Sequence, residues 1–83
     1  MQAMGQHCLF DAYGIDCAWA RDASQIEALL RRAALAAEAT ILGSHFHTFG
    51  GEGGVTGVLL LAESHLSIHT WPENAYAAID IFM

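Results

Sequence analysis

The chain has 83 residues, of which 54% are apolar and 14% charged, so it can build one small core but not two. Its formal net charge of -6 opposes binding to nucleic acid and to anionic membrane surfaces. Two cysteines without a metal-binding spacing, no secretory leader and no apolar run long enough to cross a bilayer predict a reduced, cytoplasmic protein.

The first half of the chain predicts a strand, a helix and a second strand. Apolar and polar residues alternate over residues 6–14, which is typical of a strand. Residues 24–38 repeat apolar side chains at helical spacing, and Ser24 with Glu27 three residues later fits a capping box at the helix start. Alternation returns over residues 40–49, so we expect the even-numbered and odd-numbered residues of this strand on opposite faces of a sheet.

The middle of the chain predicts two strands that meet at a reactive junction. The glycine-rich segment 50–54 indicates a flexible connection, and it lacks the lysine of a phosphate-binding loop. Residues 55–62 and 65–71 predict strands. The break between them falls at Glu63 and Ser64, which places these two polar residues in a loop or turn.

The end of the chain completes the predicted architecture. Residues 71–74 predict a turn, and residues 75–83 predict a last strand with the even-numbered residues 76–82 on one face. One strand, a helix and four strands favour an α+β fold: a two-layer α/β sandwich whose mostly antiparallel sheet has the helix on one face. We expect residues 1–83 to form a single domain whose C-terminal part, with a second helix, is missing. So small a domain with an exposed apolar sheet face also predicts a homodimer.

The densest polar cluster lies within residues 63–69, between apolar strands. Three interpretations of it follow from the residue types alone. A serine–histidine nucleophile pair lacks the Gly-x-Ser-x-Gly elbow of many hydrolases. A metal site would need His45 and His47, which share a strand face, with His65 or His69 as a third ligand. Hydrogen-bonded filler within the sheet is the third interpretation.

A longer pattern distinguishes among these interpretations. Residues 61–73 read Leu-Ala-Glu-Ser-His-Leu-Ser-Ile-His-Thr-Trp-Pro-Glu, and this stretch resembles the self-processing site of prokaryotic S-adenosylmethionine decarboxylases. Gly-Ser-His-Phe-His at 43–47, Gly-Val-Thr-Gly-Val at 54–58 and Ala-Ala-Ile-Asp-Ile-Phe at 77–82 extend the similarity in the same order. The resemblance covers essentially the whole chain from the first strand onward.

The resemblance implies a chain that cuts itself. Ser64 would attack the carbonyl of Glu63, and the serine would become a pyruvoyl group, which is the covalent cofactor of that family. His69 would accept the α-proton of Ser64 during processing, and Thr56 and His65 would support it. The pyruvoyl carbonyl would then form a Schiff base with the substrate and hold the electrons released as carbon dioxide leaves. No metal enters this chemistry.

The resemblance also implies a substrate, S-adenosylmethionine, whose decarboxylated form donates aminopropyl groups in spermidine biosynthesis. Phe49, Trp71 and Glu73 would bind it, with the aromatic rings facing adenine and the sulfonium. Packing in the core is the alternative for the two aromatic residues, and a solvated turn carboxylate is the alternative for Glu73. At the level of function, the alternatives are a pyruvoyl-dependent ornithine or arginine decarboxylase and a metal-binding homologue that does not process itself.

One element of the implied chemistry has no counterpart in the chain. In the resembling family a cysteine shortly after the last strand returns a proton to the product, and here that position would lie beyond Met83. Cys8 and Cys17 lie in the first quarter of the chain and do not match it. We therefore expect both to be ordinary buried or surface thiols.

Overall fold

The structure is a computed structural model that describes residues 7–82. Gln6 and Met83, which the sequence assigns to the first and last strands, lie outside the described residues. The elements in chain order are β1 (His7–Tyr13), α1 (Cys17–Ala20), α2 (Ala23–Ala36), β2 (Ile41–Thr48), β3 (Val55–Leu61), β4 (Ser64–Trp71), a 3-10 turn (Pro72–Asn74) and β5 (Tyr76–Phe82). The five strands form an antiparallel sheet in the order β1-β5-β4-β3-β2. The predicted α+β sandwich is confirmed.

The two faces of the sheet have different chemistry. On the face that packs against α2, which we call the helix face, most side chains are apolar, and the core there joins strand residues to one stripe of α2. The buried residues of this core are Ile26, Leu30, Ala34, Ala39, Val55, Leu59, Leu61, Leu66, Ile68 and Ala77. The opposite face, which we call the open face, carries most of the polar and aromatic side chains of the sheet. Because neighbours along a strand alternate between faces, every second residue of β4 lies on the open face.

The long helix begins at Ala23, one residue before the predicted start at Ser24, and its N-cap lies two residues before the predicted one. Asp22 is its N-cap: its carboxylate accepts the backbone N–H of Gln25 at 3.1 Å, and the Gln25 side chain donates back to it at 2.8 Å. Hydrogen bonds from Gln25 hold the pKa of Asp22 below its usual value. The predicted capping box of Ser24 and Glu27 is therefore wrong, because Asp22 and Gln25 form the same kind of pair with an equally good capping residue.

Glu27 instead ties the helix to the sheet. Its carboxylate accepts Nε of Arg31 at 2.8 Å and the hydroxyl of Ser44 at 2.9 Å, and Arg31 also donates to Ser44 at 2.9 Å. Hydrogen bonds from Arg31 and then Ser44 lower the pKa of Glu27. The helix ends at Ala36, not at Glu38 as predicted, because the backbone of Glu38 turns into the left-handed region with φ 60° and closes the last turn.

The second strand departs from strict alternation. The register between β2 and β3 shifts between Ile41 and Gly43, so one extra residue, Leu42, is accommodated there. Ile41 and Phe46 consequently both pack against the core, although the sequence placed them on opposite faces. From Gly43 onward the predicted faces hold, with Ser44 and Phe46 towards the helix and His45 on the other side.

A short helix, α1, escaped the sequence analysis because four residues are too few to show a helical period. Asp16 caps it by accepting the backbone N–H of Trp19 at 3.0 Å. Its last carbonyl, that of Ala20, accepts the hydroxyl of Thr70 at 2.6 Å, and the same hydroxyl accepts the N–H of Val55 at 2.8 Å. Thr70 is a buried polar residue, and these bonds join α1 to β3 and β4.

The packing of Phe46 against β3 gives a test of the sheet. A Cβ on Gly57 would lie 2.1 Å from two ring carbons of Phe46, so Gly57→Ala forces the ring to move. Overpacking of this kind lowers the free energy of unfolding by about 1–3 kcal/mol, which urea denaturation would measure. Gly43→Ala is the matched control on the neighbouring strand, because a Cβ there meets nothing within 4 Å. Equal stability of the two variants would contradict the packing described.

Candidate active site

The Glu63–Ser64 junction lies in a tight hairpin between β3 and β4. Leu61 pairs with Ser64, so only Ala62 and Glu63 connect the two strands. The N–H of Ala62 donates to the carbonyl of Thr40 at 2.9 Å, and the Glu63 carboxylate accepts the N–H of Thr40 at 3.0 Å. Both loop residues are exposed and Ser64 is half-buried. The two residues that precede Ser64 are thus both anchored to Thr40.

The hydroxyl of Ser64 lies beside an imidazole. Its Oγ is 3.2 Å from Nδ1 of His65, and Nε2 of His65 is 3.5 Å from a carboxylate oxygen of Asp80 on β5. The other oxygen of Asp80 is hydrogen-bonded to His7 on β1. Asp80 is a site residue that was not predicted. The period of two had already placed it on one face with the other even-numbered residues of β5.

The opposite end of the sheet carries a second group of predicted residues. Thr56 Oγ1 is 3.0 Å from Nδ1 of His69, its partner on β4. These two residues and the predicted substrate-binding residues Phe49, Trp71 and Glu73 line one hollow of about 400 Å³. Thr56 lies within β3, where the ladder fixes it opposite His69.

The two aromatic residues of this hollow are available to a ligand. Phe49 is 51% exposed and Trp71 is 41% exposed, so neither is a core residue as the alternative interpretation required. The ring of His47 packs edge-on against Phe49 with centroids 4.7 Å apart, and the ring of Tyr76 stacks on Trp71 at 5.3 Å. Glu73 is exposed on the 3-10 turn, which leaves both the binding and the solvated interpretation open for it.

The packed aromatic rings extend from Trp71 through Tyr76 to the edge of the sheet, and the pKa of the Tyr76 phenol is strongly raised. Tyr13 on β1 packs against Tyr76 with centroids 5.1 Å apart, and the hydroxyl of Tyr76 donates to Asp11. That hydrogen bond, with a smaller contribution from desolvation, raises the pKa of Tyr76 to about 12. Because the protonated phenol is the bonded form, the interaction stabilises the fold below pH 10 and is lost as the pH rises towards 12.

The structure does not bring Ser64 and His69 of one chain together. Both lie on β4, five residues apart, and the pairs Leu61–Ser64 and Thr56–His69 mark the two ends of the β3–β4 ladder. Antiparallel strands rise about 3.4 Å per residue, so the separation is about 17 Å along the strand. A proton cannot pass directly between the two side chains.

All five histidines lie on the open face, because each is paired with other residues of that face across the sheet. They are nevertheless dispersed over three strands, β1, β2 and β4. Within residues 7–82 no group of three or more histidine, cysteine, aspartate or glutamate side chains is placed to hold a metal ion. The arrangement of His45 and His47 with His65 or His69 as a metal site therefore finds no support in the geometry.

Both cysteines are exposed free thiols. Cys8 pairs with Ile81 and so belongs to the helix face of β1, away from the histidines, and Cys17 begins α1. Neither thiol lies beside Ser64. In the part of the chain that the structure describes, no helix is long and apolar enough to span a membrane.

The fold and this junction define a class of protein: a two-layer α+β sandwich with a serine at the hairpin of its central strand pair and histidines across its open face. The family model for S-adenosylmethionine decarboxylase matches residues 6–83. The chain therefore belongs to the S-adenosylmethionine decarboxylase family, as the sequence resemblance implied.

Individual relatives agree with the family model. The S-adenosylmethionine decarboxylase proenzyme of Sulfurihydrogenibium sp. (strain YO3AOP1) is 48% identical over 81 residues, which cover 98% of this chain and 60% of the relative. That of Prochlorococcus marinus (strain MIT 9313) is 49% identical over 79 residues, covering 95% and 62%. The crystal structure of the adenosylmethionine decarboxylase from Aquifex aeolicus VF5 superposes with a TM-score of 0.86 at 42% identity, over 95% of this chain and 64% of that one. The chain thus spans less than two thirds of the length of these relatives.

Proposed function

We propose that this chain is the self-processing portion of a pyruvoyl-dependent S-adenosylmethionine decarboxylase, a carboxy-lyase, with Ser64 as the pyruvoyl precursor. The observation that carries the proposal is the anchored Glu63–Ser64 turn with a serine hydroxyl beside an imidazole. Membership in a family whose relatives are named proenzymes supports it. In this proposal, residues 1–83 are a single domain that is cut between Glu63 and Ser64.

Self-cleavage would use groups of the chain itself. The hydroxyl oxygen of Ser64 attacks the carbonyl carbon of Glu63, the proton passes to the amide nitrogen, and an ester replaces the peptide bond. A base then removes the α-proton of Ser64, and the bond between Cβ and Oγ of residue 64 breaks, so that Glu63 leaves as a free carboxylate that keeps this oxygen. Water replaces the nitrogen of the residue that remains, ammonia departs, and a pyruvoyl group is left at position 64.

The residues around Ser64 fit this cofactor. The group arises from a serine, and the serine lies at an accessible turn where a new chain end can separate without disrupting the core. Once formed, the pyruvoyl carbonyl supplies an electrophile for the substrate amine and an acceptor for the electrons released on decarboxylation.

We further propose that one active site is built from two copies of the chain. His69 is the proposed acceptor of the α-proton, yet it lies about 17 Å from Ser64 along β4. A twofold axis near the middle of β4, with two open faces packed together, would place the Ser64 end of one strand over the His69 end of the other. Exposed Leu9 and Leu60 on the open face would be buried by such packing. This arrangement specifies the predicted homodimer.

The hollow beside His69 would then receive the substrate. Its volume of about 400 Å³ lies within the ordinary range of small-molecule sites. The exposed faces of Phe49 and Trp71 can stack on adenine and attract the sulfonium, and the Glu73 carboxylate can accept hydrogen bonds from ribose hydroxyls. Thr56 holds Nδ1 of His69, which leaves Nε2 free to take up a proton.

Denaturing mass spectrometry tests the proposal directly. We expect two fragments, residues 1–63 and a remainder whose first group reacts with phenylhydrazine as a ketone does. Carbon dioxide release from S-adenosylmethionine, with ornithine and arginine as comparison substrates, then distinguishes the proposed activity from the other pyruvoyl-dependent decarboxylases. A single uncut chain without a reactive carbonyl would rule the proposal out.

A further inference from the structure

Three side chains at the cleavage point form a continuous chain of contacts. Oγ of Ser64 is 3.2 Å from Nδ1 of His65, and Nε2 on the far side of the same ring is 3.5 Å from Oδ2 of Asp80. His65 therefore uses one ring nitrogen towards the nucleophile and the other towards a carboxylate. This is the arrangement in which an imidazole can accept a hydroxyl proton while a carboxylate supports the charge that develops.

The sheet holds this arrangement in place. His65 pairs with Phe82 across β4 and β5, and their rings stack with an interplanar angle of 11° and centroids 6.0 Å apart. Asp80 pairs with Ser67, two residues further along β4, so its carboxylate reaches His65 diagonally on the open face. The stacked Phe82 ring restricts the orientation of the imidazole, and a carboxylate beside Nε2 favours the tautomer that carries its proton there.

The charged and titratable groups around Asp80 favour its ionised form. Desolvation acts to raise the pKa of the Asp80 carboxyl, but His7 on β1 and then His65 on β4 outweigh this effect and lower it. Leu9 on β1 and Ser67 on β4, its direct partners in the sheet, carry no charge. Asp80 is therefore a carboxylate near neutral pH, able to accept a hydrogen bond from an N–H at Nε2 of His65.

We propose that His65 is the general base for the first step of self-cleavage and that Asp80 is its positioning residue. The proposal deepens the proposed function and rests on it. Nδ1 of His65 takes the hydroxyl proton as Oγ of Ser64 bonds to the carbonyl carbon of Glu63. The same proton is then delivered to the amide nitrogen as the C–N bond breaks, which leaves the ester, a free amine at Ser64 and a neutral imidazole. No external reactant is consumed.

Two histidines would thereby divide the processing between them. His65 lies next to the hydroxyl of its own chain and serves the shift from amide to ester. His69 lies at the other end of β4 and serves the later removal of the α-proton. Loss of His65 should therefore leave the chain as the amide, and loss of His69 should leave it as the ester. The two have the same mass, but hydroxylamine cleaves only the ester readily.

The first test removes the base. Since general bases contribute about 10²–10⁴-fold, we expect His65→Ala and His65→Gln to slow self-cleavage at least about 100-fold. The accumulated chain should resist hydroxylamine, and added imidazole should restore cleavage of His65→Ala. His45→Gln is the matched control, because His45 lies on the same open face as His65 but on β2. This variant should process itself at the wild-type rate. Wild-type rates in both His65 variants, accumulation of ester, or absence of rescue by imidazole would overturn the assignment.

The second test concerns Asp80. We expect Asp80→Asn to slow the first step about tenfold or more, because an amide can donate to Nε2 and stabilise the wrong tautomer. Asp80→Glu should recover a large part of the rate, since it restores the carboxylate. Thermal unfolding followed by circular dichroism checks that both variants are folded. Equal slowing by the asparagine and glutamate variants would indicate a role in packing only and would refute the positioning role.

Failure of this inference is distinguishable from failure of the proposed function. If the wild-type chain cuts itself and Ser64→Ala does not, the proposed processing stands, whatever the His65 variants do. If the wild-type chain never cuts itself, the proposed function fails and the assignment of His65 and Asp80 fails with it.

Discussion

Replacement of Ser64 by alanine is expected to abolish self-cleavage, because alanine has no oxygen that could attack the carbonyl of Glu63. The variant should remain a single chain at every incubation time, with no group that reacts with phenylhydrazine and no release of carbon dioxide from S-adenosylmethionine. The side chain of Ser64 is half-buried at a hairpin end, so its loss should leave the unfolding midpoint nearly unchanged.

Ser67→Ala is the matched control for this experiment. Ser67 lies three residues further along β4 and is half-buried to a similar degree, but it makes no contact with the Glu63–Ser64 bond. It should be processed like the wild-type chain. Cleavage of Ser64→Ala between residues 63 and 64 would show that another nucleophile acts there.

Co-expression of two inactive variants is expected to restore processing, which is the second large effect. A pair of Ser64→Ala and His69→Ala chains contains one composite site with both defects and one site with an intact Ser64 and an intact His69. Only the His69→Ala chain should be cut, because it alone carries the serine. Random pairing places about half of these chains opposite the complementary variant, so about half should be cleaved.

The measurement is the mass of each chain in the mixture, since the two variants differ in mass. Each variant expressed alone should stay intact over the same time. If mixed pairs form and the wild-type chain processes itself, but the mixture remains uncut, then Ser64 and His69 act within one chain. That result would require β4 to depart from the extended strand described here.

Local periodicity predicted most of the architecture. The alternation over β5 places Ala77, Ile79 and Ile81 towards the core, as the structure confirms. The capping residue was assigned wrongly because two overlapping pairs, Asp22 with Gln25 and Ser24 with Glu27, satisfy the same local rule. Only the docking of Glu27 on Ser44 of β2 decides between them, and that contact spans 17 residues of sequence.

The bulge in β2 and the short helix α1 also depend on contacts distant in sequence. Leu42 is accommodated as an extra residue because both Ile41 and Phe46 must reach the core under α2. The helix α1 is supported at its end by the hydroxyl of Thr70, which lies 50 residues away from Ala20. Neither feature leaves a periodic signal in the sequence.

The candidate site likewise combines features that neighbouring residues determine with features that depend on contacts distant in sequence. The order of residues 61–73 was sufficient to identify the family and to single out Ser64, because a reactive bond is a local property of two adjacent residues. The resemblance also implied that His69 acts on Ser64, but the sequence does not give the distance between the two side chains. An extended strand separates five residues by about 17 Å, whereas a helix would separate them by less than half of that.

The chain's own order of residues thus determined the long helix, the five strands, the polarity of the two sheet faces and the bond proposed to break. Tertiary structure decided which side chains meet: His65 and Asp80 contact each other only because β5 lies beside β4 in one register. The physical reason is that side-chain chemistry and local periodicity depend only on neighbouring residues, whereas strand pairing depends on burial of the whole apolar face. The antiparallel sheet brings Asp80 to the cleavage point and carries His69 away from it.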